Sequence, residues 1–111
     1  MHIQSLPQTQ RHALLLDRAA HLLEHARDTS ALSWAVQNNL AVWLALRAAA
    51  EQRTLEEIDP ARVRELAEHV ISTTLKCGRI APHDGQIEAF ITMNRTLART
   101  LVGAPDDQTR H

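Results

Sequence analysis

A run of apolar residues at three- and four-residue steps, closed by helix punctuation at both ends, limits this chain more than any other feature. Val63, Leu66, Ala67, Val70, Ile71, Thr74 and Leu75 fall on one face when each residue turns the chain by about 100°. Asp59-Pro60 stands before the run and Gly78 after it. Asp accepts hydrogen bonds from the free amides of a first turn, and Pro at the first helical position loses no bond it would otherwise make. Gly permits the left-handed backbone that ends many helices. The spacing therefore predicts a helix over about 60–76, with a left-handed cap at Gly78.

The rest of the chain reads in the same way. A first helix is expected over about 8–26, with Leu15, Ala19, Leu22 and Ala26 as its stripe and Pro7 near its start. A second runs over about 31–52, capped by Asp28, Thr29 or Ser30, and is the longest and most apolar. A fourth covers about 85–102, with Asp84 as its cap and Gly103 and Pro105 closing it. Thr54 and Glu57 have the spacing of a capping box, which suggests a short turn between the second and third helices. With only 3 Gly, 4 Pro and 3% aromatic residues, the composition favours helix over sheet. The expected fold is all-α: one compact antiparallel bundle of four main helices over 8–103, preceded by an extension at 1–7 and followed by a flexible tail at 104–111. The first helix has the weakest stripe, and the alternative is fewer than four packed helices if it stays loosely attached.

Two polar residues interrupt the apolar faces. On the second helix Leu32, Val36, Trp43, Leu46 and Ala50 share an arc with Asn39 in its middle. On the fourth, Ile87, Phe90, Ile91, Leu97, Ala98 and Leu101 surround Asn94. A buried amide without partners costs on the order of 1–3 kcal/mol, so both need hydrogen bonds if these faces are internal. Two roles stay open: the amides satisfy each other or a nearby carbonyl and fix helix register, or they line a groove that receives a partner helix. The first predicts that Asn39 and Asn94 are buried within bonding reach, with the second and fourth helices packed together. Val63, Leu66, Val70, Ile71, Ile87, Phe90, Ile91 and Leu97 are expected to be among the most buried side chains. Opposite Asn39, the residues Trp34, Ala41, Ala45 and Ala48 form another uncharged strip. It is either covered on its second side by the bundle or a surface for a partner helix.

No catalytic constellation is legible, and an enzyme is not expected. His21 and His25 have the i, i+4 spacing that two metal-binding imidazoles need, but no third ligand completes a set, so no metal and no cofactor are expected. Cys77 lies at the negative end of a helix, where a thiol is not activated, and a single cysteine suits a reducing compartment. The 12 Lys and Arg against 13 Asp and Glu give no field that would gather nucleic acid or anionic lipid. No segment approaches the roughly 18 continuous apolar residues of a membrane span. These readings converge on a cytoplasmic domain that binds another protein.

The segment Asn39-Leu40-Ala41-Val42-Trp43 resembles the Asn-x-x-Leu-Trp signature of the FlaF family of flagellar biosynthesis regulators, with Val42 in place of the usual Leu. The segment from Ile87 to Ala98 is similar to that family's final helix: Met93, Asn94, Arg95, Leu97 and Ala98 match an Ile-Asn-Arg-Asn-Ile-Ala type motif, and Thr96 departs. The resemblance covers about residues 13–103 and suggests a divergent member. It implies a cytoplasmic, non-enzymatic role in flagellin synthesis or export, through chaperone-like contact with flagellin. Asn39, Trp43, Asn94 and Arg95 are the residues it carries over, as partner-binding or fold-defining positions. Flagellin's terminal segments are amphipathic helices, which a groove between helices would accept. The competing expectation is an oligomerising helical module that buries its second helix against another copy.

Overall fold

In the computed structural model, residues 8–53, 58–78 and 80–102 are described. Four α-helices follow one another: α1 (Gln8–Glu24), α2 (Thr29–Glu51), α3 (Pro60–Cys77) and α4 (Asp84–Val102). They form an antiparallel bundle, and no strand occurs among the described residues. The expected extension, the turn expected at 54–57 and the C-terminal tail lie outside the described residues.

Helix ends are set largely by the punctuation residues. Asp28 caps α2 by accepting from the Ala31 amide at 2.7 Å, and Asp59 caps α3 by accepting from the Ala61 amide at 3.0 Å with Pro60 first in the helix. The fourth helix departs from expectation, because its cap is His83 and Asp84 is already helical. The Gln86 amide donates to His83 Nδ1 at 3.2 Å, while Gln86 Oε1 accepts from the His83 amide at 3.0 Å. This is a capping box in which an imidazole nitrogen replaces the usual hydroxyl.

Gly78 also differs from the expected left-handed cap. Its φ of 60° is positive, but its ψ of −121° is that of the first central residue of a type II′ turn. The Ile80 amide closes that turn on the Cys77 carbonyl at 3.0 Å. After α2 the positive-φ role falls to Arg53, with φ 58° and no glycine to relieve it.

The core is built from all four helices, with Leu16, Trp43, Leu46, Val63, Val70 and Phe90 fully enclosed. The first helix is firmly docked, through a face different from the expected one. His12, Ala13, Leu16, Ala19, Ala20 and Leu23 are buried, whereas Leu15 and Leu22 are only half-buried. The adjacent leucines at 14–16 and 22–23 allow either face, and tertiary packing selects between them. Leu66 and Ile87, expected in the deep core, are half-buried, and Leu75 is exposed. The close helix pairs are α1 with α4, α2 with α3 and α1 with α2. Neither α2 with α4 nor α3 with α4 is among them.

Candidate functional site

At the centre of the bundle, the polar residues of the two sequence motifs form one hydrogen-bonded unit. Trp43 Nε1–H donates to Asn94 Oδ1 at 2.8 Å. Asn94 Nδ2 donates to Asn39 Oδ1 at 2.8 Å and to the Leu16 carbonyl at 3.3 Å. Asn39, Trp43 and Asn94 are each 0% exposed. The indole can only donate, so it fixes which end of the Asn94 amide faces α2. Asn94 Nδ2 then points to α1 and to Asn39, which must answer with its oxygen. That leaves Asn39 Nδ2 buried with no hydrogen-bond partner.

The unit joins three helices. Asn94 of α4 reaches the α1 backbone and two α2 side chains although α2 and α4 are not a close backbone pair. The expectation that these two helices pack directly is therefore corrected: α1 lies against α4, and Asn94 meets the Asn39 and Trp43 side chains end to end across the middle of the bundle. The stripe containing Asn39 and Asn94 is closed, so these amides offer nothing to an external molecule. Arg95, the next residue, points outward instead. Its Nη2 lies 2.7 Å from Glu24 Oε1, tying α4 to the end of α1. The Arg95 hydrogen bond and charge hold the Glu24 carboxyl below its ordinary value.

An opening lies between α3 and α4. Ile58, Leu66, Met93 and Leu97 form its apolar floor, Thr92, Thr96 and Thr100 edge it on α4, and Asp59 and Arg62 stand at its α3 end. Its volume is about 410 Å³. Farther along the same helix pair, His69, Thr73, Gln86, Ala89 and Phe90 line another hollow of about 330 Å³. Helices that do not approach closely leave their facing side chains half-covered, which accounts for the exposure of Leu66. Sequence reading placed the candidate groove on the asparagine strip and missed this one. The threonines at 92, 96 and 100, four residues apart on one flank of α4, were the available signal.

The strip at Trp34, Ala41, Ala45 and Ala48 is exposed and not covered by the bundle, with Trp34 at 54%. His21 and His25 are near neighbours, their ring centres 4.2 Å apart, and His25 Nδ1–H donates to the His21 carbonyl at 3.0 Å. They help line a hollow of about 560 Å³ at the corner where α1 turns into α2. Being a corner, it offers no length along which a helix could lie. Among the described residues, no group of three or more His, Cys, Asp or Glu is placed to hold a metal ion. Cys77 is half-buried, with Sγ 3.9 Å from Gln86 Oε1. No described helix is long and apolar enough to cross a membrane.

The chain matches no protein-family model, no curated protein and no solved structure.

Proposed function

We propose that this chain is a non-enzymatic regulator that takes an amphipathic helix of its partner into the groove between α3 and α4, and that the partner is flagellin. The groove carries the reading. Its apolar floor of Ile58, Leu66, Met93 and Leu97 suits the apolar face of a helix, and the flexible Met93 thioether adapts to differently shaped side chains. The threonine edge supplies hydroxyls for the boundary between that face and solvent.

Flagellin comes from the FlaF resemblance alone. The residues that carry the resemblance belong mainly to the buried unit, so their role is to hold α1, α2 and α4 in place. Contact with the partner falls to the neighbouring groove.

The experiment is fluorescence anisotropy of labelled peptides from the two terminal helical segments of flagellin, titrated with the full chain. Saturable binding is expected, weakened tenfold or more by Leu66→Glu or Met93→Glu. Both side chains are half-buried, and circular dichroism melting establishes that the variants remain folded. Absence of saturable binding overturns the choice of flagellin; binding that both folded variants retain overturns the groove.

A further inference from the structure

The two hollows between α3 and α4 share their walls. Arg62, Leu66, His69 and Thr73 follow one another at steps of four, three and four residues, so they form a single lengthwise stripe when each residue turns the helix by about 100°. Gln86, Phe90, Met93, Leu97 and Thr100 do the same on α4. The hollows are therefore two depressions in one channel that runs along the helix pair. Arg62 and Leu66 border the first and His69 and Thr73 the second, so their centres stand roughly seven residues apart on α3, or about 10.5 Å at a rise of about 1.5 Å per residue. On α4 the first is bordered by residues between Thr92 and Thr100 and the second by residues between Gly85 and Phe90, a separation of about 13 Å. Leu66, Met93 and Leu97 floor the first, and the enclosed Phe90 floors the second. The second stays open because the α4 residues on its wall, Gly85 and Ala89, are small.

We infer, resting on the docking groove proposed above, that this channel selects helices of about three turns that carry two large apolar side chains seven residues apart, one for each hollow. Two turns advance an occupant by about 10.5 Å and return its side chain to within about 20° of the same face, so positions i and i+7 meet the two hollows together. Positions i+4 and i+11 also face the channel. They lie about 6 and about 16.5 Å from i, and match neither wall. The hollows, of about 410 and about 330 Å³, each have room for a leucine or phenylalanine side chain.

The walls also decide between a helical and an extended occupant. Both are helices whose amides and carbonyls at this level are bonded within α3 and α4, so a strand laid between them finds no main-chain partners over an apolar floor. A helix satisfies its own backbone and brings only side chains to the channel.

The test uses three designed peptides of about 18 residues on one alanine, glutamine and lysine frame, with two leucines separated by four, seven or eleven positions. All three keep both leucines on one face and have the same composition, and none contains flagellin sequence. Each is titrated to about 1 mM into the full chain, and binding is read from amide proton and nitrogen shifts. The seven-spaced peptide is expected to shift Thr96 and Thr100 together with Thr73 and Ala89, and to bind about tenfold or more tightly than the other two, the scale set by burying one further leucine. Ala89→Trp fills the second hollow from an exposed position and is expected to erase that preference, with an unchanged fold by circular dichroism. Equal affinities for the three spacings, or no binding by any of them, overturn the inference. So does a preference that Ala89→Trp leaves intact. Flagellin peptides that occupy the groove while the designed set shows no spacing preference remove the two-anchor rule alone, and the opposite result removes flagellin alone.

Discussion

Asn94 and Asn39 are bonded to each other, yet exchanging each for leucine should have very different consequences. Asn94 is the hub: it accepts from Trp43 and donates to Asn39 and to the Leu16 carbonyl. Asn94→Leu strands the Trp43 N–H and the Asn39 oxygen, both in the core. Each stranded buried group costs about 1–3 kcal/mol, and the added apolar contact offsets only part of that, so the expected loss is about 2–5 kcal/mol. Against a total stability of about 5–15 kcal/mol for a domain of this size, that is a large fraction. Asn39→Leu takes one acceptor from Asn94, whose Nδ2 keeps the Leu16 carbonyl, and it also removes the unpartnered Asn39 Nδ2. The two effects oppose each other, and the net change is expected within about 1 kcal/mol of zero. The double variant should be more stable than Asn94→Leu alone, since it leaves only the indole unpaired. Urea unfolding followed by circular dichroism and by tryptophan fluorescence measures all three, the buried Trp43 making fluorescence sensitive to this part of the core. If Asn39→Leu costs as much as Asn94→Leu, the hub assignment and the orientation of both amides are wrong.

Two further outcomes test the helix junctions. Arg95 lowers the Glu24 carboxyl below its ordinary value of 4.5. A carboxyl depressed in the folded state contributes stability that is complete above its unfolded value and lost as the pH falls through its folded value. Arg95→Met should therefore be less stable than the parent at pH 7, with the difference closing as the pH drops below that value, read as paired melting curves across the acid range. At the start of α4, His83→Asp replaces a ring nitrogen by a carboxylate that accepts from the first-turn amides and complements the helix dipole, and it should raise stability by about 0.5–1 kcal/mol in urea unfolding. A loss of stability would mean that the His83 ring packs in a way that matters more than its hydrogen bond.

The periodicity of apolar residues was enough to place four helices within about two residues of their ends, because each amphipathic face repeats several times and caps such as Asp59-Pro60 are chemically specific. It was also enough to mark Asn39 and Asn94, since an amide at the centre of an apolar arc is visible in any single helix. Pairing is another matter. Which helix lies beside which depends on the fit of whole faces, and a stripe does not name its neighbour. The asparagines suggest a direct α2/α4 contact, but two asparagines meeting end to end, and an indole reaching a third amide atom, bridge helices whose backbones are not close. The same blindness hid the groove: Leu66 has the spacing of a core residue and becomes half-exposed only because α3 and α4 stand apart.

The His83 cap was illegible for a different reason. Asp84 has the chemistry of a cap and His83 does not announce it, and only the reciprocal bond from Gln86, three residues on, shows which residue ends the loop. Gln at that spacing was present in the sequence as half of a capping box. The usual partner of such a residue is a hydroxyl or a carboxylate, and here a ring nitrogen accepts the same amide. Physically this makes α4 the helix whose start depends on a ring nitrogen as the acceptor of its first free amide. The hollow that His83 lines between α3 and α4 lies along the same helix pair as the proposed docking groove. The amino end of α4 and the wall that would receive a partner helix are thus parts of one element.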